Sequence, residues 1–382
     1  MAETIYIDHN ATTPPLPEVI DAVCAAMRLI GANPSSIHAN GRAARKLIDD
    51  ARESVAALVG AAPEEVVFTS GGSESNNMVI LGADRRRILV SPTEHAAVLK
   101  TVLTRSAISD LVPVDRDGLV DMQGLEELLA DDEEPALVCI MAANNETGVL
   151  QPMAKISDLA HRHGALVHCD AVQAVGKIPV DSKGWGVDYL ALSGHKIGAP
   201  QGIGALVRCG DAPLSSFITG GGQEHGFRAG TENVAAIAGL GVAARIAAET
   251  LDEKSARLKE YRDALEAGIK ILSPATRIFG EAAPRLPNTS NFSLPGVRSD
   301  TQLNALDEAG VSVSAGSACS ADKVEPSHVL DSMEVDPEIS TTALRVSFGW
   351  SSEAVDVDRF LDAWGDLVRR NSARVMEDSS AA

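Results

Sequence analysis

Aromatic side chains are scarce: Phe, Trp and Tyr make up 3% of the 382 residues. A core with so few rings is expected to be aliphatic, rich in Ala and Val. Positive charge is also short, with 33 Lys and Arg against 53 Asp and Glu and a net charge of -20. Non-specific nucleic-acid binding needs a cationic surface, so no direct nucleic-acid contact is expected. No stretch reads as long and apolar enough to span a bilayer, and no basic-then-apolar signal opens the chain. No membrane association is therefore expected, and the cytoplasm is the expected compartment. The five cysteines, Cys24, Cys139, Cys169, Cys209 and Cys319, form no C-x-x-C pair. An odd and widely spaced set argues against a disulfide framework and a zinc site, and no metal is expected. No G-x-G-x-x-G follows the first strand, which argues against a Rossmann-type nucleotide binder.

What is present is ordinary globular material: 45% hydrophobic and 23% charged residues. The length exceeds the size at which one core stays undivided, so two domains are expected. Helical patterning covers 16–60, broken at Asn33-Pro34-Ser35-Ser36. Strand-like runs follow at 66–69, 87–90, 110–114, 136–141, 165–168, 188–192 and 204–207, alternating with helical segments. This alternation predicts a mostly parallel sheet covered by helices on both faces. One long helix is expected over 232–271, then a smaller α/β domain with strands at 291–294 and 344–348 and a last helix at 353–370. The tail 376–382 reads as disordered. The expected division is a large domain of 16–250 and a small one of 251–382 joined by 1–15.

The chemistry concentrates where those strands end. Asp170 follows the run Ala165-Leu166-Val167, and Lys196, 26 residues on, follows Tyr189-Leu190-Ala191-Leu192. Alone, each reads as a helix cap or a surface lysine. As a pair at neighbouring strand ends they suit one aromatic cofactor. The amine forms a Schiff base with an aldehyde, and the carboxylate keeps a pyridinium nitrogen protonated. That is the chemistry of pyridoxal 5'-phosphate (PLP).

Other segments fit the same ligand. Ser70-Gly71-Gly72-Ser73 lies between a strand and a helix, where free amides suit a phosphate, although a plain strand–helix turn fits as well. Ser193 and His195, three residues and one residue before the lysine, could donate to that phosphate. Gln173 could reach the ring oxygen. His95 ends another strand loop and could stack on the ring or simply cap a helix. Asn144-Asn145 could bind a carboxylate or form an ordinary turn. Arg228 and Thr231, in a glycine-rich stretch, suit an anion. Arg345 sits inside an apolar strand and needs a partner, since an unpaired buried charge is costly; an α-carboxylate would serve. Cys139 and Cys169 lie in apolar runs and read as core. Cys319 lies in the small, polar run Ser314-Ala315-Gly316-Ser317-Ala318-Cys319-Ser320, which suits a nucleophile better than packing.

Together these segments resemble a class V, fold-type-I PLP-dependent transferase, and most closely the cysteine desulfurases of the iron-sulfur-cluster type. The resemblance runs from Tyr6-Ile7-Asp8-His9-Asn10-Ala11-Thr12-Thr13-Pro14 to Phe348-Gly349 and includes Thr93-Glu94-His95, Ser193-Gly194-His195-Lys196, Arg228-Ala229-Gly230-Thr231 and Glu325-Pro326-Ser327-His328. It implies that Lys196 binds the cofactor aldehyde, Asp170 the pyridine nitrogen and Gln173 the ring oxygen, with His95 stacked on the ring. It implies that Gly72, Ser73, Ser193 and His195 cradle the phosphate, with Thr231 reaching in from the partner of a homodimer. Asn33, Asn145 and Arg345 would hold the carboxylate of L-cysteine, with Asn145 also near the cofactor. Cys319 would accept the sulfur as a persulfide and pass it to an acceptor protein, for iron-sulfur cluster assembly or thio-modification. Two departures bear on the acceptor: Asp322-Lys323 replaces small residues after Cys319, and no tryptophan occurs beyond Arg370. The competing expectations are a selenocysteine lyase or an aminotransferase on the same scaffold, and a non-catalytic sulfur-relay or scaffold subunit.

Overall fold

A computed structural model describes residues 4–29, 33–104, 108–316 and 327–380, with side chains through Asn371. Its eleven strands are β1 (Ile5–Tyr6), β2 (Val66–Thr69), β3 (Arg87–Val90), β4 (Ile108–Leu111), β5 (Ala136–Cys139), β6 (Leu166–Asp170), β7 (Tyr189–Ser193), β8 (Gly204–Arg208), β9 (Thr289–Ser293), β10 (Val311–Ser312) and β11 (Ala343–Ser347). Seven form the central sheet in the order β2-β8-β7-β6-β5-β3-β4. Only β8 runs antiparallel to its neighbours. The other six therefore share one direction, and their carboxyl ends lie along one edge.

The side-chain alternation of a strand explains why helices cover both faces. Ile88 and Val90 of β3 and Leu137 and Cys139 of β5 pack with the helices Gly72–Gly82 and Ala96–Thr104. Their alternates Leu89 and Val138 join the opposite core with Met153, Ile156, Ile237 and Leu240. Strands buried on both faces read as unbroken apolar runs, which is why they stand out in the sequence. The edge strand β4, Ile-Ser-Asp-Leu, is largely exposed. It begins at Ile108 rather than near 110, because pairing with Arg87–Val90 sets its register and its own composition does not.

A second core gathers Ile5, Ile7, Phe292, Val346, Phe348, Phe360 and Trp364. It is bounded by the parallel pair β1–β10 and the antiparallel pair β9–β11. The few aromatics are thus concentrated here, while the largest core holds only Phe68 among its fully buried rings. The helix expected over 232–271 is two helices, Val234–Glu249 and Leu251–Leu272, bent by 74°. Thr250 causes the break: its backbone leaves helical values, and its Oγ1 donates to Ile246 O at 2.8 Å. Asp252 and Glu253 then favour a fresh N-terminus. The last helix, Ala354–Ser380, runs past the expected end at 370, since no Gly or Pro interrupts the remaining helix formers.

Candidate active site

The shared edge of the sheet opens on a cavity of about 600 Å³. It is lined by ten of the residues expected there: Gly72, Ser73, His95, Asn145, Asp170, Gln173, Ser193, His195, Lys196 and Arg345. All but Arg345, which lies in the middle of β11, arrive from the ends of central-sheet strands or the segments that follow them. Asp170 is the last residue of β6 and Ser193 of β7, and the 3-10 turn Gly194–Lys196 follows directly. His95 precedes the helix after β3, and Asn145 lies in the loop after β5.

Asp170 is held on two sides. Its Oδ1 accepts from Val172 N at 2.9 Å and its Oδ2 from Asn76 Nδ2 at 2.7 Å. Asn76 Oδ1 in turn contacts His168 Nε2 at 2.9 Å. Burial holds the His168 pKa down to about 4 against the pull of Asp170, so the ring is neutral and Nε2 is the donor. The carboxylate keeps lone pairs for a further donor on its cavity side. Lys196 Nζ donates to Asn10 O at 2.5 Å and Ala11 O at 2.7 Å.

The histidines stay neutral. His95 Nδ1 accepts from Ala97 N at 3.1 Å. Its pKa is lowered by burial, partly countered by Asp170, with Lys196 and His328 adding to the drop. His195 contacts Thr12 Oγ1 at 3.1 Å, and burial, Lys196 and Lys177 bring its pKa to about 4.

At the other end lies the N-terminus of the helix Gly72–Gly82, whose first amides have no intrahelical partner. A Cβ on Gly72 would fall 2.7 Å from Val172 Cγ2. Glycine there keeps the backbone close to the cavity. The adjacent Asn residues divide their work. Asn144 Oδ1 caps Glu146 N and Thr147 N and its Nδ2 donates to Thr93 O, which shapes the loop. Asn145 is left facing the cavity, and its carbonyl accepts from Arg345 Nη1 at 3.0 Å.

The partner that Arg345 needs is Asp8, at 2.8 Å from Nη2 in a pair that is almost wholly buried. Among the described residues its buried Nε has no hydrogen-bond partner, and the side chain lines the cavity. Arg228 is likewise matched within the chain, by Glu74 Oε1 at 2.9 Å.

Two expected residues, Asn33 and Thr231, do not line the cavity. Asn33 is exposed, and its Oδ1 accepts from Ser35 N at 2.9 Å, in the local turn that Pro34 favours. Thr231 is exposed and lines a neighbouring cavity of about 220 Å³, which shares Ser70 and Gly202 with the main one. Cys319 lies outside the described residues. The residues flanking its segment meet at Glu146: Ser327 Oγ donates to Oε2 at 2.6 Å, and a Cβ on Gly316 would lie 3.7 Å from that oxygen.

The sequence reading missed Asn10, Asn76 and Lys177. Asn10 is a hub: its Nδ2 donates to Thr289 Oγ1 at 2.9 Å, and its carbonyl receives Lys196 and Gln173. Asn76 sits on a helix among apolar residues, a polar position on a buried face that would have marked it.

A carboxylate opposite a helix N-terminus, with a lysine and two neutral imidazoles between them, matches the donor set of a PLP enzyme of fold type I. The comparisons with known proteins agree. The sequence matches the aminotransferase class-V family over residues 5–360. The chain belongs to that family, and its enzymes depend on PLP. It is 42% identical over 376 residues to a cysteine desulfurase of Cereibacter sphaeroides, covering 96% of each chain. An IscS-like cysteine desulfurase of Mycobacterium tuberculosis is 40% identical over 379 residues, again with 96% of each covered. Among solved structures, a NifS-like protein of Rickettsia africae superposes with a TM-score of 0.89 at 35% identity, covering 95% of this chain and 99% of that one.

Proposed function

We propose that this chain is a PLP-dependent cysteine desulfurase that converts L-cysteine to L-alanine and leaves the sulfur on Cys319 as a persulfide. The observation that carries the reading is the convergence of Lys196, Asp170, His95 and Arg345 on one cavity in a chain similar to named desulfurases along its whole length. PLP, when bound, supplies the electron withdrawal that lets the α-proton leave and the C–S bond break.

The chain's own residues do the rest. Lys196 would hold the cofactor aldehyde through its amine. Asp170, kept as an acceptor by Asn76 and Val172, holds the proton of the ring nitrogen. Gly72, Ser73, Ser193 and the neutral His195 receive the phosphate through N–H and O–H donors. His95 would pack on the ring and, with Nδ1 accepting from Ala97 N, could carry a proton at Nε2. Asn145 and Arg345, which both line the cavity, bind the substrate carboxylate. The thiolate of Cys319 attacks the substrate sulfur. The C–S bond breaks as an S–S bond forms, and the carbon keeps the electron pair and takes up a proton. Cysteine plus enzyme thiol thus becomes alanine plus enzyme persulfide, with no outside oxidant.

The persulfide then passes to a sulfur-acceptor protein. The protein acts as a homodimer, a reading supported by Thr231 standing exposed beside the phosphate end of the cavity. A reduced thiol is required, which favours the cytoplasm.

Alanine and sulfide are measured from L-cysteine with PLP and a thiol reductant. Wild type is expected to release both in equal amounts. Cys319→Ala is expected to lose at least about a hundredfold in rate while still binding the cofactor. Sulfide formation at the wild-type rate by Cys319→Ala would exclude Cys319 as acceptor and favour a lyase.

A further inference from the structure

Lys177 is a buried amine that the proposed reaction leaves unused. It lies four residues beyond Gln173, in the turn segment after β6, and is 6% exposed. Its Nζ donates to Gln173 Oε1 at 2.5 Å and to Asn10 Oδ1 at 2.8 Å. The charged groups acting on it are Lys196, Arg345 and Lys254, all cations. Burial first, and then these charges, hold its pKa well below the ordinary lysine value. His9 and His195 also feel Lys177, and burial keeps both neutral. Both of its contacts fall on amide oxygens, which accept from an amine in either protonation state.

A carboxamide can face either way unless its partners choose for it. With a donor on Oε1, Gln173 has its Nε2 turned to Asn10 O at 3.0 Å, and the second N–H of that group remains for the cavity. Asn10 has another donor to its Oδ1, Asn288 Nδ2 at 3.2 Å, so its orientation does not rest on Lys177 alone. Among the described residues Gln173 Oε1 has no second donor, and the only other contact that orients the amide is Nε2 to Asn10 O.

We propose that Lys177 is a positioning residue that fixes the orientation of Gln173, so that the cavity receives an N–H donor, not a carbonyl oxygen, where the ring oxygen of the cofactor binds. This rests on the function proposed above and extends it to a residue that does not touch the cofactor. Reversing the amide would set a carbonyl against an anionic oxygen.

The test compares wild type, Lys177→Met, Lys177→Arg, Gln173→Ala and the Lys177→Met/Gln173→Ala double variant, each loaded with PLP. The readouts are the pH midpoint of the visible absorption band and the rate at which PLP leaves on dilution. A donor to the ring oxygen favours its anionic form, so losing it in Lys177→Met is expected to raise the midpoint by about one pH unit. Cofactor loss is expected to quicken roughly tenfold. The double variant is expected to go no further than Gln173→Ala, because both substitutions remove one interaction. Lys177→Arg keeps a donor and is expected to stay near the wild-type midpoint, which also serves if Lys177→Met does not fold. A residue with only a packing role would lower thermal stability and leave the midpoint alone. An unchanged midpoint in Lys177→Met, full additivity in the double variant, or a shift in Lys177→Arg as large as that of Gln173→Ala would each overturn the proposal. Failure of wild type to take up PLP would overturn the proposed function and this proposal with it.

Discussion

His168 titrates in a way that exposes the support under Asp170. Its ring is 1% exposed, and its pKa of about 4 contrasts with an ordinary value of 6.5. Between those values the unfolded chain binds a proton that the folded one refuses. Stability from this group is therefore full above about pH 6.5 and lost as pH falls toward 4. The loss amounts to about 2–3 kcal/mol on going from about pH 7 to about pH 4.5. His168→Gln keeps an N–H donor for Asn76 but does not titrate. Urea denaturation of the cofactor-free protein at the two pH values is expected to show a smaller loss in the variant. An equal loss would place the acid sensitivity elsewhere. The same residues show what could be read from the sequence. Asp170 and Lys196 were legible because each follows an apolar run and so marks a strand end. The partners of Asn76 and His168 were not, because they come from packing between elements, and Lys177 lies in a turn after β6, where no periodicity assigns it a face. Only the packing of the helix Gly72–Gly82 over β6 brings Asn76 to Asp170.

At the scale of elements, the site depends on how closely that helix approaches the segment after β6. Val172 donates its N–H to Asp170 and also lines the cavity, so it links the acid end to the phosphate end. An alanine at position 72 would bring its Cβ to 2.7 Å from Val172 Cγ2, and the β-branched valine has little freedom to turn aside. Gly72→Ala is expected to cost about 1–3 kcal/mol of stability through overpacking. It is also expected to weaken PLP binding by roughly tenfold as Val172 is pushed into the cavity. Adding Val172→Ala should recover most of both, as read by thermal unfolding and by titration with PLP. If the second substitution recovers neither, the crowding lies elsewhere. The parallel strands were predictable because burial on both faces leaves continuous apolar runs. The bend at Thr250 was hidden, since a threonine between two good helix-forming stretches carries no strong stop signal. The edge strand β4 was displaced for a related reason: its position comes from pairing with β3.

The whole molecule raises the question of where one site ends. The main cavity contains every expected phosphate ligand except Thr231, which is exposed on a neighbouring cavity sharing Ser70 and Gly202 with it. Glu224 fixes this part of the chain to the sheet: it pairs with Arg52 at 2.9 Å in a buried pair and accepts from Phe68 N at 2.8 Å. A loop anchored at its root and exposed at its tip can present Thr231 to a second copy of the chain. In that arrangement each site takes Lys196 from one subunit and Thr231 from the other. The prediction follows by complementation. Lys196→Ala lacks the amine but keeps Thr231, and Thr231→Val lacks the hydroxyl but keeps the amine. Heterodimers of the two contain one site with both groups and one with neither. After mixing, unfolding and refolding in equal amounts, activity is expected to rise to about a quarter of the wild-type level, since half the dimers are mixed and each has one complete site. Activity no greater than the sum of the two separate variants would mean that Thr231 serves the cavity of its own subunit. The cofactor site would then be complete within a single chain.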